Sequence, residues 1–234
     1  LMADITVIDR EEIEQAGQST LEQLLARQPG VQYTANGGPG TNSGVFIRGT
    51  APNQSIVLID GQRFGSATSG DAALSRIPLS QVERIEILRG PASSLYGADA
   101  IGGVIQIFTK RGEGPARFNA STGFGTYNTS DSSVGVSGGS ELVSYSLQGG
   151  YYATKGVTSI HNKNDPFGEY NRDPDGYRNN SFSGSVSLRP VSGHEIGANF
   201  LASNGTSRFD ASYPSPAGAN YRNQEDVANY SVYS

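Results

Sequence analysis

Two apolar runs, Val82 to Leu88 and Val104 to Phe108, flank a connection that holds Gly90, Gly97, Gly102 and Gly103 together with Pro91. Glu83, Arg84, Glu86 and Arg89 interleave with Val82, Ile85, Ile87 and Leu88, so each run reads as a half-buried strand. Glycine permits positive φ and close backbone approach, and proline removes a ladder donor. The connection must therefore be compact and irregular, unlike an ordinary hairpin turn.

The 234 residues include 31 Gly and no Cys, with a formal net charge of −5. No window approaches the roughly 20 consecutive apolar residues of a spanning helix, so any membrane residence must come from a barrel. The acidic balance argues against nucleic acid as a partner, because neutralising phosphates needs a basic face. Absence of Cys fits an oxidising compartment without a disulfide framework and fits the cytosol equally well. Leu1 to Asp9 already read as a strand, so any export sequence is expected to have been removed or to lie outside this chain.

The chain has two grammars, which divide it into residues 1–111 and 112–234. Up to about Lys110 it reads as a small α+β domain. Ser19 or Thr20 can cap a helix carrying Glu22, Leu21, Leu24 and Leu25 that ends at Pro29-Gly30, and another runs from Arg10 to Ala16 after Asp9. Val45 to Arg48 and Ser55 to Asp60 read as strands, the second closing at Asp60-Gly61, a strong hairpin signal. The segments Tyr33 to Gly44 and Gly65 to Ala72 are rich in Gly, Ser, Thr and Asn and read as long loops.

From Ala116 onward apolar and small polar residues alternate: Phe118, Ala120 and Phe124; Val134 and Val136; Val143, Tyr145, Leu147 and Tyr151; Phe182, Val186 and Leu188; Ile196, Ala198 and Phe200. Strands of about 9 to 11 residues with one apolar and one polar face are the signature of a transmembrane barrel. A soluble antiparallel sandwich obeys the same alternation and stays open at this point. The connections near 128–131, at Gly138 to Leu142 and at Pro190 to His194 are short, whereas those from Ala153 to Asn180 and after Ser203 are long. If the first strand rises from the periplasmic side, the second and fourth connections are periplasmic and both long ones are extracellular, as in outer-membrane barrels.

Five motifs occur in order: Ile5-Thr-Val-Ile-Asp9, Leu24-Leu-Ala-Arg-Gln-Pro-Gly-Val31, Phe46-Ile-Arg-Gly-Thr50, Val57-Leu-Ile-Asp-Gly61, and Val82-Glu-Arg-Ile-Glu-Ile-Leu-Arg-Gly-Pro91 running through Leu95-Tyr-Gly97 to Ala100-Ile-Gly-Gly103. With these the chain resembles a TonB-dependent outer-membrane receptor, and within that family it is similar to the cobalamin (vitamin B12) transporters. The resemblance is dense over residues 4 to 111, the family's plug domain, and sparser beyond. It implies an α+β plug followed by antiparallel transmembrane β-barrel strands, about six of an expected 22. It also implies a Gram-negative outer-membrane location among lipid, import energised through TonB, and a cobalamin or metal-chelate ligand. An upstream TonB-contacting segment and about sixteen further strands are expected, because a sheet of six strands would leave unpaired edges in hydrocarbon.

Individual residues follow from the resemblance. Arg48 and Arg89 match arginines that meet glutamates on the barrel wall and lock the plug; the alternative is that both snorkel to the plug surface. The loops Gln32 to Gly44 and Phe64 to Ser75 are placed at the substrate-facing top, with Asn36, Gly37, Ser66, Thr68 and Asp71 as candidate contacts. Their length sets them apart from mere connections. Asn171-Arg-Asp173-Pro-Asp175-Gly176 fails as an EF-hand, since Phe182 stands where that motif needs Glu. Cobalamin transporters, however, bind calcium with aspartates from two neighbouring extracellular loops, and Asp173, Asp175 and Asp210 match those positions. The match departs near Thr158, where Asp165 or Asn162 is the available substitute, and a solvated acidic turn shaped by Pro174 and Gly176 is the competing reading.

His161 and His194 have no partner at zinc spacing. A surface hydrolase needs a nucleophile with a positioned base, and a passive porin lacks a folded plug, so the chain reads as a transport receptor and no enzyme. A ferric siderophore or haem receptor is the alternative to cobalamin.

Overall fold

The computed structural model describes residues 4–17, 20–66, 70–90, 93–97, 99–158, 174–191, 193–209 and 221–234. The first part contains β1 (Asp4–Ile8), α1 (Arg10–Gln15), α2 (Leu21–Ala26), β2 (Val31–Ala35), β3 (Ser43–Ile47), β4 (Ser55–Ile59), β5 (Gln62–Arg63), β6 (Val82–Arg89), α3 (Ser93–Tyr96) and β7 (Gly103–Thr109). It is followed by β8 (Arg117–Gly125), β9 (Thr129–Gly139), β10 (Val143–Thr154), β11 (Tyr177–Val191), β12 (His194–Phe209) and β13 (Tyr221–Tyr233).

The helices start where short polar side chains satisfy their first backbone donors. Asp9 Oδ1 accepts from Glu12 N at 2.9 Å, and Thr20 Oγ1 accepts from Gln23 N at 3.4 Å. Ile13, Leu21, Leu24 and Leu25 then point into one core with Ile8, Val57, Ile59, Ile85, Ile87, Ile105 and Ile107. These residues cover a five-stranded sheet of order β1-β6-β7-β4-β5, in which β4 and β7 are parallel and the other pairs antiparallel.

The glycine-rich connection does join β6 to β7. At Gly103, with φ +154, an added Cβ would lie 2.2 Å from the Leu88 carbonyl oxygen, and at Gly102 it would lie 2.1 Å from Thr50 Oγ1. The close approach demanded there is made within the plug's own sheet. Part of the segment expected as a loop between Gln32 and Gly44 is ordered instead: β2 and β3 pair from Val31↔Ile47 to Ala35↔Ser43, leaving residues 36–42 as the tip. Val31, Val45 and Ile47 face the core, which outweighs the polar composition of the intervening residues.

The second part is a six-stranded antiparallel sheet of order β13-β12-β11-β10-β9-β8. Its polarity is the reverse of a soluble sandwich. Ser144, Ser146, Gln148, Ser181, Ser183, Asn199 and Ser203 are buried, whereas Phe118, Phe124, Val134, Leu147, Phe182, Val186, Leu188, Ile196 and Val232 stand outward. On β11 the contrast falls between neighbours: Phe182 is 50% exposed and Ser183 only 3%. A sheet whose apolar face is its outer face is built for lipid, with the polar face turned to the plug. The strands run further than the alternation indicated, so the connections Ala153–Asn180 and after Ser203 shrink to residues 155–176 and 210–220.

Asp60 ties this architecture together locally. Asp60 (φ 48) and Gly61 (φ 84) are both in the left-handed region that a two-residue turn between β4 and β5 requires. The Asp60 carboxylate also accepts from Thr109 N at 3.0 Å and Thr109 Oγ1 at 2.6 Å, pinning the end of β7. Asp60→Ala removes both bonds to a charged acceptor and should lower plug stability by about 1.5–3 kcal/mol, whereas Asp60→Asn should cost less. Urea unfolding of the plug within the detergent-solubilised full-length protein reads the difference.

Candidate functional site

The hydrogen bonds from the plug to the inner face of the sheet centre on one short segment, two 3-10 turns at Leu74–Arg76 and Leu79–Gln81 that precede β6. Leu74 and Ile77 are buried in the plug core and fix the segment, which turns Arg76 and Gln81 toward the wall. Arg10 of α1 clamps its far end, donating from Nη1 to the carbonyls of Leu79 and Val82 at 2.9 Å each.

Arg76 is completely buried at the centre of this contact. Its Nε donates to Glu225 Oε2 on β13 at 3.1 Å, and its Nη2 donates to the Gly40 carbonyl in the β2–β3 tip at 3.1 Å. Its guanidinium carbon lies 5.2 Å from the centroid of the Tyr177 ring on β11, within cation–π range. Further bonds cross from plug to wall nearby: Tyr177 donates to Ser75 O at 3.1 Å, Asn179 Nδ2 to Arg76 O at 3.3 Å, and Gln81 Nε2 to Ser181 Oγ at 2.8 Å.

Two glycines make the approach possible. A Cβ at Gly205 on β12 would lie 1.9 Å from Arg76 Nη1, and one at Gly40 (φ +77) would lie 2.2 Å from the Tyr177 ring. Sequence reasoning missed Arg76. The available signal was a lone cation in the apolar stretch Ala72 to Val82, because an arginine in such a run is buried only if it is paired.

The candidate ligand residues fall into two groups on either side of the Leu74–Arg76 turn. Asn36 and Gly37 lie at the β2–β3 tip, which Asn36 N closes by donating to Asn42 O at 3.0 Å; the cleft beside it is lined by Glu22, Thr41, Ser43 and Ser75. Ser66 and Asp71 close a second loop, with Ser66 N donating to Asp71 O at 2.8 Å, and line a cleft with Phe64, Ala73, Glu225 and Asn229. Thr68 lies outside the described residues. Both groups sit toward the sheet end that carries the longer connections.

Asp175 is 3% exposed, and its N–H donates to Val157 O at 3.1 Å, so the two described arms of the 155–176 connection are tied to each other at its root. Its backbone abuts the plug tip, where a Cβ at Gly38 would lie 3.3 Å from Asp175 O. Asp173 and Asp210 lie outside the described residues, as do Asn162 and Asp165. Among the described residues no group of three or more acidic, His or Cys side chains gathers at metal-binding geometry.

Arg48 and Arg89 converge on one carboxylate within the plug. Asp4 Oδ2 accepts from Arg48 Nη2 at 2.6 Å, and Asp4 Oδ1 from Arg89 Nη1 at 3.3 Å. Arg89 Nη1 also donates to Thr6 Oγ1 at 2.7 Å. The two arginines differ in burial: the Arg48 side chain is half-exposed, while that of Arg89 is 4% exposed and its Nε and Nη2 have no hydrogen-bond partner among the described residues.

Residues 1–104 match the TonB-dependent receptor plug domain. The vitamin B12 transporter BtuB of Vibrio cholerae serotype O1 is 44% identical over 133 residues, covering 57% of this chain and 22% of the relative. The vitamin B12 transporter BtuB of Photobacterium profundum is 34% identical over 237 residues, covering 100% of this chain and 38% of the relative. Among solved structures, the siderophore receptor PirA from Acinetobacter baumannii superposes with a TM-score of 0.68 at 27% identity, over 88% of this chain and 32% of that one. A variant of the ferric enterobactin receptor PfeA from Pseudomonas aeruginosa, in complex with enterobactin, gives a TM-score of 0.65 at 26% identity, over 89% of this chain and 34% of that one. The chain thus spans 22% to 38% of the length of these curated relatives.

Glu22, buried in the cleft beside the β2–β3 tip, carries a perturbed carboxyl. Burial pushes its carboxyl above the ordinary 4.5, against the opposing pull of its hydrogen bonds and of the Arg76 charge. A carboxyl whose folded value is raised keeps its proton longer in the folded state, so its penalty is absent below about 4.5 and grows as pH rises through the folded value. Glu22→Gln should therefore stabilise the plug at pH 7 relative to the parent and give little difference at pH 4, as read by denaturant midpoints at the two values.

Proposed function

The chain belongs to the TonB-dependent receptors, an outer-membrane family of receptors rather than enzymes, and from that premise we propose that it is the plug and first wall strands of a cobalamin or corrinoid importer energised through TonB. The observation that carries the reading is the plug seated against the polar face of a sheet whose other face is apolar. Such a body inside a lipid-embedded wall blocks passive diffusion, so passage requires the plug to move, and TonB supplies the work. The unpaired edges of β8 and β13 must meet further strands in a bilayer, since hydrocarbon offers their backbone groups no partner.

Cobalamin as cargo is supported by relatives named as vitamin B12 transporters, one of them aligned along the whole chain. The second reading, a ferric siderophore, is favoured by structural neighbours named as siderophore and ferric enterobactin receptors. In the first reading Asn36, Gly37, Ser66, Thr68 and Asp71 face the ligand, and calcium is held by Asp173, Asp175 and Asp210. Carboxylate oxygens are the donors calcium takes, and a fixed Asp175 suits the role. The full-length receptor should bind cyanocobalamin tightly and lose that binding on calcium chelation; binding of a ferric siderophore indifferent to calcium would replace this cargo with the other.

Arg48 and Arg89 are proposed to lock the plug to wall strands beyond those described. The two partnerless buried donors of Arg89 support this, because an acceptor from outside the plug would satisfy them. Arg48→Ala and Arg89→Ala in the full-length protein should raise passive permeability of cells to large antibiotics, with Arg89 having the larger effect. Unchanged permeability in both variants would count against the lock.

A further inference from the structure

Arg76 stands between two acids of different origin. Glu225 belongs to the wall and accepts from Nε at 3.1 Å. Glu22 belongs to the plug, is 2% exposed, and lines one cleft with Ser75 and with Gly40, whose carbonyl Arg76 holds. Its Oε1 accepts from Ser43 Oγ at 2.9 Å, while Oε2 has no hydrogen-bond partner among the described residues. Arg76 Nη1 has none among them either. A buried acceptor and a buried donor of complementary charge are thus both unsatisfied on the plug side of the contact.

We propose that Arg76 is a two-position latch, seated on Glu225 of the wall when the plug is closed and received by Glu22 of the plug when the 74–81 turn leaves the wall. Stripping a buried cation of its acid is strongly unfavourable, and a second acid on the moving body offsets much of that cost. The planar fork of arginine suits the exchange, because one edge engages each partner without the side chain leaving its site. Through Nη2 the same guanidinium holds the Gly40 carbonyl, so the latch also positions the ligand-facing β2–β3 tip. Arg76 is a positioning residue in this scheme. It is separate from the Asp4–Arg48–Arg89 cluster, and its action does not depend on which cargo the receptor carries.

The test is amide hydrogen exchange of residues 74–81 and 36–42 in the full-length receptor without ligand, for Glu22→Gln, Glu225→Gln, Arg76→Gln and the Glu22→Gln/Arg76→Gln double variant. Glu225→Gln should speed exchange of both segments about tenfold. Glu22→Gln alone should slow it several-fold, since Arg76 then has only the wall acid. In the Arg76→Gln background the same change should leave exchange of both segments unaltered, since no cation is left for Glu22 to receive. This dependence on Arg76 is the readout, because a merely structural Glu22 would act alike with or without the cation; that result overturns the latch. Should the double variant fail to assemble, Arg76→Lys gives a second reading. It keeps the charge for Glu225 but not the fork, so it should release residues 36–42 while residues 74–81 stay protected, and equal loosening of both segments overturns the two-armed geometry. Neither measurement requires bound cobalamin or TonB, so a wrong cargo would leave them standing.

Discussion

The inverted polarity of the second sheet is the constraint on which the rest of the structure depends. Lipid accepts no unpaired backbone group and no buried charge without cost, so apolar side chains take the outer face and polar ones are left inside. An inner face of Ser, Asn and Gln can be satisfied by water or by another polar surface. Here the surface is the plug, which brings Gln81, Arg76 and the Ser75 carbonyl to meet Ser181, Asn179, Glu225 and Tyr177.

That choice sets the character of the contact. Two wall residues, Leu201 and Val227, pack onto the plug core; the other cross-contacts discussed are hydrogen bonds, one ion pair and one cation–π contact. Neutral hydrogen bonds contribute on the order of 0.5–1.5 kcal/mol each, because water competes for the same groups. A plug held this way can leave the wall and be rehydrated at moderate cost, whereas one held by a broad apolar interface would stay. Within the plug the balance is reversed: a continuous Ile, Leu and Val core holds α1, α2 and the sheet as one body. A stiff body on a polar seat is suited to moving as a unit.

The turns and apolar faces were legible in the sequence because they obey local rules. Asp9 and Thr20 cap helices, Asp60-Gly61 turns the chain, and Phe118, Leu147 and Phe182 alternate with small polar residues, all within a few positions of one another. Polar composition misled at Tyr33 to Gly44, where the pairing of β2 with β3 was hidden by Gly, Thr and Asn. For Arg48 and Arg89 the sequence marked the residues and the resemblance suggested distant glutamates. The plug itself supplies Asp4, the direct cross-strand partner of Arg89 in the β1–β6 pair.

The sequence by itself determined the two grammars, the strands with one face for lipid, and the glycines that let β6 and β7 close on each other. Those features depend on spacing along the chain, and spacing survives in a linear string. Only the tertiary structure decided that Arg76 faces Glu225 across a separation of 149 residues, with Gly40 and Gly205 cleared to receive it and Glu22 buried alongside. No local period encodes such a contact, because it arises where two independently patterned bodies meet and each buried polar atom must find its partner on the other.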